Sequence, residues 1–207
     1  MTEEARKNHW EHIYKTKALT EVSWYEPIPK TSLEIFKSFQ IPKTAKIIDV
    51  GGGDSFLADS LLKQGYQNIT VLDISQAAIL RAQQRLGSLS QKINWIVSDI
   101  TAFKPKETYD FWHDRAAFHF LNTKTDIEKY IKTAHHSLSE QGLLSIGTFS
   151  ENGPKKCSGI NITPYSEISL VEQFAPLFSK MSCSTYTHIT PFNTKQEFTF
   201  CNFKKNK

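Results

Sequence analysis

The sequence has few cysteines, and they stand far apart. Cys157, Cys183 and Cys201 include no CxxC pair, so neither a zinc site nor a disulfide framework is predicted. A sparse, odd number of cysteines is typical of a chain that is kept in a reducing compartment. We therefore expect unpaired thiols and a cytoplasmic location.

Long apolar runs are also missing. No stretch approaches the roughly 20 consecutive apolar residues that span a bilayer. The opening residues, MTEEARK, are charged and have no apolar segment, which is unlike a signal peptide. We expect no membrane partner.

Neither sign of charge dominates the chain. Its 25 lysines and arginines and 21 acidic residues give a formal net charge of +4, which is too small an excess to indicate a nucleic-acid partner. The 207 residues contain no internal repeat or low-complexity linker, and this length is usual for one α/β domain. We predict a single domain over 1–207 that is a monomer or a homodimer, with residues 1–40 forming an N-terminal helical lid over a cofactor site.

The sequence does contain a regular alternation of strand and helix patterns. This alternation predicts parallel strands joined by crossover helices. The last two strands are joined too closely for a crossover, so they should pair antiparallel. The predicted fold is α/β and Rossmann-like: a doubly wound, mostly parallel seven-stranded sheet with a C-terminal antiparallel hairpin. Strands are predicted at 46–50, 68–73, 93–97, 109–112, 143–149, 183–190 and 196–203, and helices at 3–16, 31–39, 56–64, 76–86, 126–138 and 166–179.

Glycines and carboxylates follow three consecutive predicted strands. Gly51 and Gly53 follow the first strand, Asp73 ends the second and Asp99 follows the third. Ligands of open α/β sheets bind beyond the carboxyl ends of the strands, where glycines let the backbone approach a ligand and carboxylates accept hydrogen bonds from a ribose or an adenine. Each feature alone also fits a tight turn, a helix N-terminal acid or a solvated loop. Their order along one strand and helix alternation favours a shared adenosine site.

The glycine loop separates two adenosine-containing ligands. A dinucleotide fingerprint reads GxGxxG, and the third glycine after Gly51 and Gly53 would fall at Phe56. The phenyl ring would crowd a pyrophosphate. Asp49 and Asp54 flank the loop, and acids suit a ligand that carries an ammonium and a sulfonium. This pattern favours S-adenosylmethionine over a nicotinamide dinucleotide.

These residues resemble the class I S-adenosylmethionine-dependent methyltransferases over about residues 9–150. Residues 49–55 match the D/E-x-G-x-G-x-G motif of that family, except that Ser55 stands in place of the last glycine. Asp73 matches the ribose-binding acid of the family, and Ser98-Asp99-Ile100 matches its adenine-contacting segment. The segments that resemble a small subgroup without a defined acceptor are HWEHIY at 9–14, VSWYE at 22–26, HDRA at 113–116 and FHFL at 118–121.

The resemblance implies S-adenosylmethionine as cofactor, S-adenosylhomocysteine as product, no metal, and in-line transfer of a methyl group to an unidentified small-molecule acceptor. Three alternatives stay open: a protein lysine or N-terminal methyltransferase, a non-catalytic S-adenosylmethionine-binding protein, and a nicotinamide oxidoreductase. The residues expected to bind the cofactor are Trp24, Tyr25, Asp49, Gly51, Gly53, Asp73, Ile74, Asp99, Ile100, His113 and Arg115.

Several of these side chains have two interpretations. Trp24 and Tyr25 either form part of the lid or simply pack the N-terminal segment. His113 is the candidate general base, and the alternative is a hydrogen bond to the cofactor or a neighbour. Arg115 either binds an acidic acceptor or pairs with Asp114.

Two further segments bear on the acceptor. His119 is expected to pack beside the sheet. Residues 151–165 are rich in turn formers, so Cys157, Ser158 and Tyr165 either border the acceptor site or belong to a surface connector.

Overall fold

The computed structural model describes residues 1–206, which form six α-helices and nine strands. The helices are α1 (Glu3–Thr16), α2 (Lys30–Ser38), α3 (Leu57–Lys63), α4 (Gln76–Leu86), α5 (Lys124–Ser137) and α6 (Glu167–Phe174). The strands are β1 (Lys46–Val50), β2 (Asn68–Asp73), β3 (Ile93–Val97), β4 (Tyr109–Arg115), β5 (Leu138–Phe149), β6 (Lys156–Cys157), β7 (Ile160–Asn161), β8 (Phe178–Ile189) and β9 (Lys195–Lys205).

Seven strands make one sheet in the order β3-β2-β1-β4-β5-β9-β8. The pairs β1–β2, β2–β3 and β4–β5 are parallel, while β5–β9 and β8–β9 are antiparallel. The mostly parallel, Rossmann-like sheet and its C-terminal antiparallel hairpin confirm the predicted fold class.

The chain divides into two compact units. The first comprises residues 1–103 with 190–192, and the second comprises residues 104–189 with 193–207. In the first unit, β1 and β2 are apolar and almost wholly buried, which is typical of parallel strands with both faces covered. Ser75 begins α4 as predicted, because its hydroxyl accepts a hydrogen bond from the Ala78 backbone N–H.

The core of the second unit is aromatic. Its fully buried side chains come from β4, β5, β9 and the segments between them, and include Phe111, Trp112, Phe118, Tyr130, Phe149, Phe174, Phe178, Phe198, Phe200 and Phe203. The indole N–H of Trp112 donates to the Tyr130 hydroxyl over 3.0 Å, so the polar atoms of these two large side chains are satisfied within the core.

Several predicted boundaries are wrong in the second unit. Strand β4 continues past Trp112 to Arg115, so the three polar residues expected after the strand lie within it. Helix α6 ends at Phe174 and not at 179, because Pro176 follows Ala175 and has no backbone N–H to continue the helical hydrogen bonds. The short hairpin β6–β7 was not predicted, and Ser158 (φ 48°) and Gly159 (φ 81°) form its tight turn.

The expectation of unpaired thiols is wrong at one place. Cys183 on β8 and Cys201 on β9 face each other across the antiparallel pair, with a Cα–Cα distance of 4.1 Å, and form a disulfide. Sequence spacing did not reveal this pair, because only the strand register brings the two residues opposite each other.

We expect reduction of this disulfide to lower the stability of the protein. Closing a loop over a sequence separation of 18 restricts the unfolded chain and is worth about 3 kcal/mol. Thermal unfolding of the oxidised protein should therefore occur several degrees higher than with reductant present. A Cys183→Ser/Cys201→Ser variant is the control and should show no effect of reductant. Equal melting temperatures for the oxidised and reduced wild type would contradict a stabilising cross-link.

Among residues 1–206, no helix combines the length and apolar character that a membrane crossing requires.

Candidate cofactor site

The carboxyl ends of β1 and β2 bring the glycine loop against Leu72. The backbone N–H groups of Gly51 and Gly52 both donate to the Leu72 carbonyl, at 2.7 and 3.3 Å. Gly51 (φ 67°) and Gly53 (φ 45°) adopt left-handed backbone conformations, which other L-residues rarely take. The loop thus turns sharply at the end of the parallel strands, as the motif predicts.

Two buried carboxylates flank this loop. A Cβ atom on Gly52 would lie 2.5 Å from Asp49 Oδ2, and one on Gly53 would lie 2.9 Å from Asp73 Oδ2. Asp49 and Asp73 are 3% and 5% exposed. The structure therefore brings together the predicted residues Asp49, Gly51, Gly53 and Asp73, packed so closely that glycine is required between the acids.

Asp73 is held in place by one of its oxygens. Its Oδ1 accepts a hydrogen bond from the Ser75 backbone N–H over 2.8 Å, while Oδ2 faces Gly53 and has no hydrogen-bond partner among the described residues. Burial raises the pKa of Asp73 to about 7, with smaller contributions in the same direction from the neighbouring carboxylates of Asp54, Asp49 and Glu11. This carboxyl group is oriented, desolvated and ready to accept hydrogen bonds from a ligand.

Arginines on α4 brace the end of the loop. Arg85 forms an ion pair with Asp59 at 2.8 Å, and its other N–H groups donate to the carbonyls of Asp54 and Ser55 at 2.7 Å each. Its guanidinium also lies 4.2 Å from the ring centre of Phe56. These contacts give Phe56 a packing role where a dinucleotide site has glycine. Sequence reasoning missed Arg85, because the spacing alone does not show that α4 lies beside the loop.

The Asp54 carboxylate also contacts α4. Its Oδ2 lies 3.2 Å from Arg81 Nη2, an ion-pair distance without hydrogen-bond alignment. Burial raises the pKa of Asp54, and the two arginines oppose that shift. Asp54 therefore supports the loop through α4 as well as adding negative charge near it.

Helix α1 crosses the ends of β2 and β3. Glu11 Oε2 accepts hydrogen bonds from the Ser75 hydroxyl and the Ala77 backbone N–H, at 2.7 and 2.8 Å. The Tyr14 hydroxyl lies 2.9 Å from the position that a Cβ on Gly53 would occupy. The N-terminal helix thus contributes side chains to the edge of the candidate cofactor site, which the helix periodicity alone does not indicate.

Asp99, which is predicted to contact an adenine, also has partners within the protein. Its Oδ2 pairs with Arg6 Nε of α1 at 2.8 Å, and its Oδ1 accepts hydrogen bonds from the backbone N–H and the hydroxyl of Thr101. A carboxylate has about four lone-pair sites, so these bonds leave room for a ligand donor. Ile100 beside it is buried, and Ile74 is half-buried.

Trp24 and Tyr25 are half-buried and belong to an aromatic cluster of the first unit. The Trp24 ring lies 5.8 Å from that of Trp10 and 6.1 Å from that of Tyr14, while the Tyr25 ring lies 6.0 Å from that of Phe56. Tyr14 and Phe56 both adjoin the glycine loop. The cluster therefore places Trp24 and Tyr25 close to the loop, as both the lid and the packing interpretation require.

The second unit holds the remaining predicted residues, His113 and Arg115. His113 is 2% exposed, and the Arg115 guanidinium lies 5.1 Å from the ring centre of Phe198. The predicted pairing of Arg115 with Asp114 is wrong. Asp114 Oδ1 accepts hydrogen bonds from the backbone N–H groups of residues 117 and 118, and its Oδ2 accepts one from Tyr130 Oη over 2.6 Å.

Burial raises the pKa of Asp114 to about 6, although these hydrogen bonds favour its ionised form. Asp114 is therefore a structural acid that fixes the turn after β4. No group of three histidine, cysteine or acidic side chains in residues 1–206 is arranged to hold a metal ion. The expectation of a metal-free reaction stays a prediction.

Residues 47–142 match a family model described as a methyltransferase domain. The chain is 26% identical over 142 residues to the eEF1A lysine and N-terminal methyltransferase of Mus musculus. The matched region covers 68% of this chain and 20% of that protein. The chain is also 28% identical over 107 residues to malonyl-[acyl-carrier protein] O-methyltransferase 2 of Ilyobacter polytropus. This matched region covers 51% of this chain and 40% of that protein.

The chain thus spans well under half the length of these curated relatives. Among solved structures, it shares its fold with an S-adenosylmethionine-dependent methyltransferase from Anabaena variabilis, with a TM-score of 0.77, 13% identity, and coverage of 99% of this chain and 95% of the other. The family-model match agrees with the resemblance to methyltransferases that the sequence predicts, and the solved structure shares the Rossmann-like fold.

Proposed function

We propose that this protein is an S-adenosylmethionine-dependent methyltransferase. The observation that carries the proposal is the approach of Asp73 Oδ2 to the left-handed Gly53: an oriented carboxylate beside a loop that a Cβ would block. This arrangement of the Asp73 carboxylate and the glycine loop fits the ribose of an adenosine. The surrounding carboxylates of Asp49, Asp54 and Glu11 suit a positively charged ligand and repel a pyrophosphate.

Different residues of the proposed site bind different parts of S-adenosylmethionine. Asp73 accepts hydrogen bonds from the ribose hydroxyls, and the Asp99 segment with Ile100 contacts the adenine. Asp49 under the glycine loop attracts the ammonium group of the methionine part. Trp24 and Tyr25 cover the site, and Ile74 contacts the nucleoside. His113 and Arg115 belong to the second unit, and their part in cofactor binding stays a prediction, with His113 as the candidate general base.

The chemistry needs little from the protein beyond placement. The bound sulfonium supplies a methyl group that is already electrophilic. The protein holds the acceptor atom in line with it and excludes water, and alignment of this kind is worth about 7–11 kcal/mol in well-oriented reactions. A general base is required only for an acceptor that arrives protonated, which is the role proposed for His113.

Isothermal titration calorimetry tests the cofactor assignment. We expect S-adenosylmethionine and S-adenosylhomocysteine to bind with micromolar affinity and NAD to give no heat of binding. Binding of NAD in preference to the sulfonium nucleoside would overturn the proposal. Transfer of a labelled methyl group to a metabolite extract or a peptide array would separate an enzyme from a protein that only binds the cofactor.

The proposed acceptor is a small molecule. Relatives of similar identity act on proteins or on an acyl-carrier-protein-linked malonyl group by their names, so they favour neither class of acceptor. The support for a small molecule comes from the buried aromatic side chains of Phe118 and Phe149 near the carboxyl ends of β4 and β5. Transfer to peptides and not to metabolites would favour the protein alternative.

The lid proposal predicts a weaker cofactor complex when Trp24 is removed. Trp24→Ala takes away an aromatic face that attracts a sulfonium by about 0.5–2 kcal/mol, by analogy with ammonium groups, which corresponds to a roughly 2- to 30-fold loss of affinity. Phe192→Ala, which removes an aromatic side chain that is 56% exposed, is the control and should leave affinity unchanged. If Trp24→Ala binds S-adenosylmethionine as tightly as wild type, Trp24 only packs the N-terminal segment.

A further inference from the structure

One buried hydrogen-bond donor of the second unit has no partner among residues 1–206. The His119 side chain is completely buried, and its Nδ1 accepts a hydrogen bond from the Phe149 backbone N–H over 3.1 Å. An imidazole nitrogen that accepts carries no hydrogen, so the ring hydrogen of the neutral side chain is on Nε2. His119 Nε2 has no hydrogen-bond partner among residues 1–206.

The protonation state of this donor is fixed by its surroundings. Burial lowers the pKa of His119 to about 3, so the ring is neutral throughout the physiological range. A neutral imidazole with Nδ1 accepting is a permanent Nε2–H donor. It neither takes up a proton nor changes tautomer while the bond to Phe149 persists.

The topology explains why a side chain occupies this position. Strand β4 ends at Arg115, opposite Gly147, while β5 continues to Phe149. On the side of β4, Phe149 therefore lacks a strand partner: its N–H donates to the His119 side chain, and its carbonyl accepts from the Tyr165 backbone N–H over 3.0 Å. This edge is the carboxyl end of a parallel pair, where ligands of open α/β sheets bind.

A second buried polar group without a partner in residues 1–206 belongs to Tyr165, whose backbone N–H bonds to the same residue, Phe149. Tyr165 is 4% exposed, and its hydroxyl has no hydrogen-bond partner among the residues described. The rings around both groups are apolar: the His119 ring lies 4.6 Å from that of Phe120 and 4.7 Å from that of Phe149, and the Tyr165 ring lies 5.5 Å from that of Phe118. Buried donors are normally satisfied, so two unpartnered groups on residues that both hydrogen-bond to Phe149 call for a ligand.

We propose that His119 Nε2–H, with the Tyr165 hydroxyl, binds the methyl acceptor, and that this acceptor is a planar, largely apolar molecule carrying a carboxylate or carbonyl oxygen. The proposal rests on the proposed function, since it assigns the acceptor side of the same reaction. A fixed neutral donor selects for an oxygen acceptor and against an ammonium group, and the aromatic walls select for a flat apolar body. His119 is then a specificity-determining residue.

Benzoate, benzamide and toluene are suitable probes, because they share one ring and differ in the oxygen group. In protein labelled with ¹⁵N-histidine and saturated with S-adenosylhomocysteine, benzoate and benzamide should shift the His119 Nε2–H proton signal downfield in a saturable way. Toluene should leave it unchanged. A signal that no oxygen-bearing probe moves, in protein that binds S-adenosylhomocysteine, would mean that a buried water is the only partner and would overturn the proposal.

Two substitutions separate this role from packing. His119→Asn keeps an amide oxygen near the Nδ1 position for the Phe149 N–H but has no donor at the Nε2 position. His119→Gln places an amide N–H near the Nε2 position. We expect His119→Asn to lose benzoate affinity at least tenfold and His119→Gln to recover part of it, with S-adenosylhomocysteine affinity unchanged in both.

The controls keep this result distinct from a failure of the proposed function. Loss of S-adenosylhomocysteine binding by the wild type would reject the cofactor assignment itself. Wild-type affinity for benzoate in His119→Asn would reject the acceptor role of His119 alone. Tyr165→Phe should weaken benzoate binding in the same direction, and if His119→Asn does not fold, the wild-type NMR titration still decides.

Discussion

Replacing Asp73 with alanine should weaken S-adenosylhomocysteine binding by at least about 100-fold, a factor that corresponds to about 2.7 kcal/mol. Hydrogen bonds to charged groups contribute about 1.5–3 kcal/mol each, and the proposed ribose offers two hydroxyls to this carboxylate. Calorimetry on the purified variant measures the loss. Asp110→Asn, which changes an exposed carboxylate on β4, is the matched control and should bind the nucleoside as wild type does.

Stability should not explain the loss of binding. The buried Asp73 carboxyl has a pKa raised to about 7 from an ordinary 3.8, so its ionised form destabilises the free protein above pH 7. A raised carboxyl pKa contributes stability that is present below pH 3.8 and is lost as the pH rises through 7. Asp73→Asn removes that charge while an amide oxygen still accepts from Ser75, so the free energy of unfolding at pH 8 should not fall. A large loss of stability in Asp73→Asn would contradict this assignment of the charge.

The same pKa predicts a pH dependence of cofactor affinity. A ligand that hydrogen-bonds to the ionised carboxylate competes with its proton, so the affinity should fall by up to about tenfold per pH unit below 7. Titration of S-adenosylhomocysteine at pH 7.5 and pH 5.5 measures the slope, and Asp73→Asn should flatten it. A slope that survives in Asp73→Asn would assign the titration to another group, and Asp54→Asn would then identify the nearest candidate.

The strands of the first unit could be predicted from the sequence residue by residue. The bounds of β1, β2 and β3 match the prediction, because short apolar runs between glycines, a helix cap and polar turns leave little freedom in the assignment. The motif around the glycine loop was predictable for the same reason. Local sequence determines both the turn and the acids that end the strands.

Other features depend on contacts between distant segments, and sequence patterns do not show these. Arg85 supports the glycine loop from α4, and Arg6 reaches Asp99 from α1, over separations that no periodicity links. The disulfide between Cys183 and Cys201 follows from strand register alone. Asp114 is a further example. Its neighbour Arg115 suggests an ion pair from the sequence, whereas the fold brings the Tyr130 hydroxyl to the Asp114 carboxylate.

Substituting Gly53 tests the close packing on which the cofactor assignment depends. Gly53→Ala keeps every charge but adds a Cβ 2.9 Å from both Asp73 Oδ2 and the Tyr14 hydroxyl, at a φ of 45°. Both neighbours must move, and the left-handed conformation costs an L-residue about 1–2 kcal/mol. We expect at least a tenfold loss of S-adenosylhomocysteine affinity together with a lower melting temperature.

Gly65→Ala separates the two causes. Gly65 has a φ of 87°, and nothing lies within 4 Å of the Cβ that it would gain, so this variant carries the backbone strain without the crowding. It should lose stability while its affinity for the nucleoside stays at the wild-type value. If Gly53→Ala also retained full affinity at a similar cost in stability, the contact between the loop and Asp73 would be a packing feature of the turn and the adenosine site would have to lie elsewhere.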